Sequence, residues 1–128
     1  EFSYIPIIFY IGAIFWTLAY DTIYGFQDIK DDEIIGVKST SIKFKKNPKL
    51  LIFICYLIFI LMQIISGLLM EFNYYYYIGI VIIAFHLLFY QIKNLDISNP
   101  KICLEKFKSN NFLGVIVFVN ILINKIYL

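Results

Sequence analysis

The sequence predicts an all-α fold, a polytopic bundle of about four transmembrane helices. Hydrophobic residues make up 61% of the 128 residues and charged residues only 16%, whereas soluble domains average about 45–50% and about 25%. Four uncharged, apolar stretches are separated by segments that carry the charges. This composition excludes an ordinary soluble domain. The high aromatic content, 20% of the chain, excludes a disordered one.

The first predicted span covers about residues 4–22. Residues 4–20 carry no charge, and as a helix they would measure roughly 25 Å. With help from flanking residues, that length is just enough to cross a hydrocarbon core of about 30 Å. No segment of the chain alternates apolar and polar residues at a helical period, as the surface helix of a soluble bundle would.

Three more spans follow along the chain. Residues 50–70 form an uncharged run of 21 residues and are the clearest span in the sequence. Residues 74–92 open with four tyrosines, at the position where an interfacial aromatic belt is expected. The last uncharged core, residues 112–124, is shorter and ends near Lys125. With its flanks it predicts a span over about residues 111–127.

The lysines indicate how the bundle is oriented. All 11 basic residues are lysines; six lie in residues 21–49, here called the first connector, and four in residues 93–109, the second connector. If all four runs cross the membrane, both connectors are on the same side, and the positive-inside rule makes that side the cytoplasm. Both chain ends are then expected on the opposite side. A bacterial inner (plasma) membrane is the expected location, with the mitochondrial inner membrane as the alternative.

Other features exclude further classes of protein. A net charge of +2 is too small to indicate nucleic-acid binding, so no nucleic-acid partner is expected. Cys55 and Cys103 are too far apart in the sequence to suggest a zinc site or a disulfide framework. The lipid bilayer is the partner that the composition itself implies.

The first connector carries an acidic cluster suited to a divalent cation. Its acids are Asp21, Asp28, Asp31, Asp32 and Glu33. Mg²⁺ is typically held by one or two carboxylates together with the phosphates of a substrate. Asp28 and Asp32 are four residues apart, so on a helical turn they would face the same way. Lys38, followed by Ser39 and Thr40, could supply a cation and hydroxyl donors for phosphate oxygens. The alternative is a solvated acidic loop at the membrane surface.

The order of residues in this connector resembles a known family. YDTIYGFQDIKDDEIIGVKST, residues 20–40, closely resembles the second aspartate-rich signature of the UbiA-type intramembrane aromatic prenyltransferases. The tail CLEKFKSNNFLGVIVF, residues 103–118, is similar to that family's K-x-NN-x-x-G stretch. In detail, YDTxY followed by D, a DD pair and GxKST is most like the members that act on 4-hydroxybenzoate. The resemblance covers essentially all of residues 1–128.

The resemblance implies an enzyme that transfers a polyprenyl group from a polyprenyl diphosphate to the ring of 4-hydroxybenzoate, a step of ubiquinone synthesis. It implies Mg²⁺ as the cofactor, bound by Asp28 and Asp32. Asp21 would be a third catalytic acid, as a ligand or as a partner of one. Tyr24 and Lys38 would bind the diphosphate. Asp31 and Glu33 are expected to be solvated or to support the ligands.

One part of the family pattern does not occur in this chain. The first aspartate-rich motif, of the type NDxxDxxxD, is absent from the sequence, and the chain begins with Glu1. We therefore expect residues 1–128 to be the C-terminal part of a transferase domain, with the missing N-terminal half as its partner. By itself the chain is expected to be inactive. Alternatives are a family member with a naphthoate, haem or chlorophyll-precursor acceptor, or a small membrane transporter or scaffold without catalytic activity.

Polar residues inside the spans have structural interpretations. His86 is expected to hydrogen-bond a neighbouring helix. Gln63, Ser66 and Asn120 are expected to bond between helices, and glycines in the spans to mark close helix packing.

Overall fold

A computed structural model describes residues 3–127 of the chain as a bundle of helices, and none of these residues forms a β-strand. The elements in chain order are α1 (Ile5–Gly25), a 3₁₀ turn (Phe26–Asp28), α2 (Ile29–Ile35), α3 (Thr40–Lys43), α4 (Pro48–Leu69), α5 (Tyr74–Phe85), a π-helix (His86–Lys93) and α6 (Pro100–Ile126).

Four helical segments are long and apolar enough to cross a membrane. They are Ile5–Ile35, Pro48–Leu69, Tyr74–Lys93 and Pro100–Ile126. The all-α, four-span fold is thus confirmed. The last helix begins at Pro100, well before the position 111 that the apolar core indicated, so much of the second connector is helical.

Proline and capping side chains explain where the helices begin. α1, α4 and α6 each carry a proline in the first turn. A backbone N–H there has no partner within the helix, so its absence in proline costs no hydrogen bond, and the φ of proline suits a helix. At α6 the Asn99 side chain also accepts hydrogen bonds from the backbone N–H groups of Lys101 and Ile102. This cap starts α6 among polar residues, which a hydropathy pattern alone does not detect.

The acidic part of the first connector is helical as well. The chain continues from α1 through the 3₁₀ turn into α2. This helix ends at Gly36, whose φ of 77° is in the left-handed region that glycine adopts freely. Ser39 then caps the short helix α3 by accepting from the Ile42 N–H. Asp28 precedes α2 directly, with a φ of −113° and a ψ of 16° that lie outside the α-helical region, and Asp32 lies in the first turn of α2. That the two carboxylates face the same way stays a prediction.

Close contacts hold the membrane helices together. A Cβ on Gly67 of α4 would overlap the ring of Tyr76 on α5, and one on Gly79 would overlap the Asn120 amide of α6. The Tyr76 hydroxyl donates to Gln63, and Asn120 Nδ2 donates to the Tyr76 carbonyl at 3.1 Å. The expected interhelical roles of Gln63 and Asn120 are therefore confirmed.

The expected role of Ser66 is wrong. Its hydroxyl is buried but has no hydrogen-bond partner among the residues that the structure describes. The Ser66 side chain is fully buried beside Gly67, without the bond between helices that was expected.

The two connectors meet at one end of the bundle. Lys49 Nζ, at the start of α4, donates to the carbonyl of Lys93 at 3.3 Å. A cavity is lined from both connectors, by residues 26–31 on one side and by Ile97, Ser98 and Pro100 on the other. The lysine-rich segments that the sequence assigned to one membrane face are thus neighbours in space.

Candidate functional site

The cavity between the connectors contains most of the acidic cluster. It has a volume of about 740 Å³. Its walls combine apolar, acidic and basic side chains: Phe26, Gln27, Asp28, Ile29, Lys30, Asp31, Glu33, Lys45, Lys46, Ile97, Ser98 and Pro100. We call it the acid cavity.

Two of the aspartates, three residues apart in the sequence, line this cavity. Asp28 ends the 3₁₀ turn and Asp31 lies in the first turn of α2, and both side chains are exposed. Asp32 is half-buried and lies outside the cavity lining. Within residues 3–127 no three acidic, histidine or cysteine side chains converge closely enough to bind a metal. The structure therefore places Asp28, but not Asp32, in the lining of the cavity.

Cations surround the acids. Lys45 Nζ forms an ion pair with Glu33 Oε1, and both side chains are partly exposed. Lys30 and Lys46 also line the cavity. Glu33 is thus already neutralised by a neighbour, in keeping with the supporting role expected for it. An incoming phosphate group would meet lysines as well as carboxylates.

Lys38 lies away from the acid cavity. It lines a separate groove of about 480 Å³, formed by residues 37–40 together with Ile42 and Lys43. The sequence placed Lys38 in the same site as Asp28, and the structure does not bring the two into one cavity. The turn at Gly36 separates α2 from the segment that carries Lys38.

The hydroxyls after Lys38 are used within the protein. Thr22 donates its only hydroxyl proton to the Leu18 carbonyl at 2.7 Å, so in the 2.7 Å contact between Thr22 and Thr40 it is Thr40 that donates. Ser41 donates to the Thr22 carbonyl at 2.8 Å. The expectation that Thr40 offers a proton to phosphate is therefore wrong. These hydroxyls instead attach α3 to α1.

Asp21 and Tyr24 lie on α1, which precedes the acid-cavity residues in the chain. Asp21 is exposed, and Tyr24 follows three residues later with its side chain 45% exposed. The Tyr24 ring packs on Phe107 of α6, with 4.7 Å between the ring centroids. Neither side chain is part of the cavity lining. Both remain within one to two helical turns of Asp28 along the chain.

Asp96, in the second connector, bonds to Ser98 of the acid-cavity lining. The Ser98 hydroxyl donates to Asp96 Oδ1 at 2.5 Å and the Ser98 backbone N–H donates to it at 2.9 Å. These two bonds hold the pKa of Asp96 below its ordinary value. Asp96 thus stays charged, and it keeps Ser98 in place at the cavity wall.

A second cavity lies between α1 and α6, toward the middle of the bundle. It measures about 340 Å³ and is lined by Trp16, Tyr20, Phe107, Asn110, Asn111 and Gly114. We call it the membrane cavity. Three of its residues belong to the K-x-NN-x-x-G stretch, which in this chain is Lys108, Asn110, Asn111 and Gly114. The sequence identified that stretch but assigned no role to it.

A network of buried amides adjoins the membrane cavity. Trp16 Nε1 donates to Asn110 Oδ1 at 2.9 Å, and Gln91 Nε2 donates to the same oxygen at 3.0 Å. The Tyr56 hydroxyl in turn donates to Gln91 Oε1. We call these four residues the amide network. Sequence reasoning missed Gln91, although a glutamine in an apolar span is a signal of such a bond.

His86 has the structural role expected for it. Its Nε2 lies 3.2 Å from the Ser109 hydroxyl of α6, and its ring packs against Tyr90. The expected hydrogen bond to a neighbouring helix is confirmed.

Comparisons with known proteins point to one family. Residues 1–120 match the family model described as UbiA prenyltransferase family. The chain is 36% identical over 117 residues to the mitochondrial 4-hydroxybenzoate polyprenyltransferase of Dictyostelium discoideum. It is 39% identical over 118 residues to 4-hydroxybenzoate geranyltransferase 1 of Lithospermum erythrorhizon, and 36% identical over 114 residues to a 4-hydroxybenzoate octaprenyltransferase of Francisella tularensis.

These matches cover most of this chain but only part of each relative. The three alignments take in 91%, 92% and 88% of the chain, and 25%, 38% and 39% of the respective relatives. The chain therefore spans between a quarter and two fifths of the length of these relatives. No solved structure matches it significantly.

Proposed function

The chain belongs to the UbiA prenyltransferase family, and from that membership we propose that it forms the part of a transferase that binds the diphosphate of a polyprenyl diphosphate. The enzyme transfers the polyprenyl group to the ring of 4-hydroxybenzoate. The acid cavity is the observation that carries this proposal, because it combines aspartates with lysines at one end of an apolar bundle. A polyprenyl diphosphate needs a charged site for its diphosphate and an apolar one for its chain.

The donor atoms at the site suit a hard cation. Asp28 and Asp32 offer only carboxylate oxygens, which are the ligands that Mg²⁺ prefers, and Asp28 is exposed to an incoming ion. We propose that these two residues hold Mg²⁺ together with phosphate oxygens of the substrate. When bound, the ion neutralises the diphosphate and makes it a better leaving group. Asp21 is proposed as a third acid that supports them.

The cationic and hydroxyl groups of the chain bind the rest of the diphosphate. Lys30 and Lys46 line the cavity and would neutralise phosphate oxygens directly. Tyr24 is proposed to donate a hydrogen bond to the diphosphate from one turn below Asp28. Lys38 is also proposed as a diphosphate ligand, reaching it from the neighbouring groove.

The reaction itself is an electrophilic substitution on the ring. The bond between the first carbon of the donor and the diphosphate breaks, and the ring carbon ortho to the phenol hydroxyl forms a new bond to that carbon. The ring then loses the proton of the attacked position. The apolar bundle keeps water from the allylic cation, and aromatic ring faces near Tyr24 stabilise its charge.

The names of the relatives favour the aromatic acceptor. The relatives compared above are named for 4-hydroxybenzoate, which supports this acceptor over a naphthoate, haem or a chlorophyll precursor. We propose that an N-terminal half carrying the first aspartate-rich motif completes the site. An inner membrane, bacterial or mitochondrial, fits the relatives from Francisella and Dictyostelium.

A chimaera tests the proposed function. This chain would replace the matching part of the Francisella octaprenyltransferase, and prenyl transfer to 4-hydroxybenzoate would be measured with and without Mg²⁺. We expect Mg²⁺-dependent product from the chimaera and none from the 128-residue chain by itself. Product from the isolated chain would refute the need for a second half. An inactive chimaera that is folded and inserted in the membrane would contradict the proposed function.

The orientation is tested separately. A cysteine introduced at Lys45 should react with an impermeant reagent only from the cytoplasmic side, where the lysine distribution places the first connector. Cys55 and Cys103 are buried, so they should give little background labelling. Labelling from the opposite side alone would show that the predicted orientation is wrong.

A further inference from the structure

We infer that Asn110 is a positioning residue, which fixes the Trp16 indole as a rigid wall of the membrane cavity and thereby determines how the enzyme binds the donor chain beyond its first isoprene units. This inference rests on the proposed function. It concerns residues of the membrane cavity and the amide network, which that function does not use.

The Asn110 side chain is held in one orientation by several partners. Its Oδ1 accepts from Trp16 and from Gln91, while Nδ2 donates to the carbonyls of Lys106 and Phe107, both at 3.2 Å. Because the amide is bonded on both sides and is 6% exposed, it cannot rotate without losing buried hydrogen bonds. It is therefore a fixed acceptor for the indole N–H.

The indole is also confined by packing. It stacks on Phe59 of α4 with 5.1 Å between the ring centroids and an interplanar angle of 21°. On the α6 side the indole faces Gly114, where an added Cβ would lie at an ordinary van der Waals distance, 3.4 Å, from Trp16 Cη2. Stacking fixes the plane of the ring, and the bond to Asn110 fixes its rotation within that plane.

Aromatic side chains connect the two cavities along α1. Trp16, Tyr20 and Tyr24 are spaced four residues apart, which places them along one side of the helix. The rings of Trp16 and Tyr20 are 5.7 Å apart, and Phe107 packs against Tyr20 at 5.8 Å and against Tyr24 at 4.7 Å. This aromatic stripe runs from the membrane cavity to within one turn of Asp28.

The distance along the helix indicates which part of the donor reaches the membrane cavity. Tyr20 and Trp16 precede Asp28 by eight and 12 residues, which is about 12 to 18 Å of helix. The reacting carbon of the donor is attached to the diphosphate, so the aromatic acceptor must meet it near Asp28. An isoprene unit adds four bonds of about 1.5 Å each. The membrane cavity therefore takes the third unit and those after it.

A comparison of two donors tests this assignment in the chimaera. The donors are geranyl diphosphate, with two isoprene units, and geranylgeranyl diphosphate, with four. Asn110→Leu should raise the KM of the four-unit donor about tenfold, the size expected for one buried hydrogen bond, and leave that of the two-unit donor within about twofold. Trp16→Phe removes the same bond from the other partner and should give the same pattern. The kcat should not change with either variant.

Asn124→Leu is the matched control. Asn124 is another buried asparagine of α6, and among the residues described its Nδ2 bonds only to the Asn120 carbonyl of its own helix. This substitution should leave the ratio of the two KM values unchanged. If Asn110→Leu and Trp16→Phe raise the KM of both donors by the same factor, or change neither KM, the inference is overturned.

A second readout separates this inference from the proposed function. Trp16 is the only tryptophan of the 128-residue chain, so fluorescence anisotropy of the chain in vesicles made of lipid alone reports the indole by itself. Fast local rotation should appear in Asn110→Leu and be absent from the wild type and from Asn124→Leu. An unrestrained indole in the wild type would overturn the positioning role even if the chimaera is active. An inactive chimaera would count against the proposed function, while the anisotropy still decides the role of Asn110.

Discussion

The acid cavity and the amide network differ in how their polar groups are satisfied. In the acid cavity, Asp28 and Asp31 are exposed, and the side-chain ion pair described at its wall joins Glu33 and Lys45. In the amide network, Gln91 is fully buried, and Asn110 uses both its oxygen and its nitrogen. One region leaves its charges open to a ligand, whereas the other is complete within the protein.

This difference supports the proposal that the acid cavity, and not the amide network, binds the reacting groups. Exposed carboxylates keep their affinity for a cation, because none of the described residues donates a hydrogen bond to the Asp28 or Asp31 oxygens. A saturated amide network gains nothing from a ligand, but it can hold a wall in place. Changes in the acid cavity should therefore alter catalysis with little effect on stability, and changes in the amide network should alter stability first.

The largest effect is expected from the aspartates. In the chimaera, Asp28→Asn and Asp32→Asn keep the size of the side chain but remove the charge that is proposed to bind Mg²⁺. Loss of one preorganised electrostatic contact costs about 10²–10³ in rate, and loss of a metal ligand should cost at least as much. Turnover measured across a Mg²⁺ titration checks this, since excess metal should partly restore a weakened site.

Substitutions at the neighbouring acids sharpen the comparison. Glu33→Gln removes a charge that Lys45 already neutralises, so it should reduce turnover least. We expect intermediate losses for Asp21→Asn and Lys38→Gln, and a smaller one for Asp31→Asn. If Asp31→Asn proves more damaging than Asp32→Asn, the cavity lining identifies the ligand better than the family motif does. Equal, small losses at all of these acids would indicate a solvated acidic surface.

The sequence was sufficient to predict the membrane bundle and the acidic character of the first connector. Hydropathy predicts spans well because the bilayer requires apolar residues along a fixed length. It could not locate the start of α6, since that helix begins with the polar Asn99 cap and continues past Lys106 and Lys108. Lysine stems can lie along apolar surfaces, so charged residues do not end a helix.

The arrangement of the site was less predictable than its composition. Spacing placed Asp28 and Asp32 on one side of a helix, but it could not show that Gly36 directs Lys38 into a separate groove. Nor could it show that the Thr40 proton is used by Thr22. Such contacts depend on residues far apart in the sequence, and no local pattern encodes them.

A smaller effect, on stability, is expected in the amide network. Gln91→Leu leaves the Tyr56 hydroxyl without its acceptor and deprives Asn110 of a donor. Leaving buried polar groups unpaired costs about 1–3 kcal/mol. Denaturant unfolding of the chain in detergent, followed through Trp16 fluorescence, should show that loss. The Mg²⁺ dependence of the chimaera should not change, and a shift in it would contradict the separation of the two regions.

The contact between α1 and α3 should respond to added volume. In Gly25→Ala the new methyl group overlaps the Ser41 hydroxyl, which bonds to the Thr22 carbonyl. Overpacking costs about 1–3 kcal/mol, and we expect a loss at the lower end because only one side chain must move. The double variant Gly25→Ala, Ser41→Ala removes the overlapping oxygen and should be less destabilised than the sum of its single variants. Strict additivity of the two losses would show that the overlap is relieved in another way.

The smallest effect is expected at the ion pair of the acid cavity. Lys45→Gln frees Glu33, but both side chains are partly exposed, with 47% and 36% of their surface accessible. Exposed pairs contribute about 0–1 kcal/mol, and salt screens them further. The unfolding free energy should therefore fall by less than about 1 kcal/mol, and the difference should vanish at high salt.

Turnover is the more informative measurement for this ion pair. A freed Glu33 can compete with Asp28 for Mg²⁺, so Lys45→Gln should shift the Mg²⁺ concentration needed for half-maximal activity, and the added substitution Glu33→Gln should reverse that shift. If the shift persists in the double variant, Lys45 acts on the diphosphate itself and not through its partner.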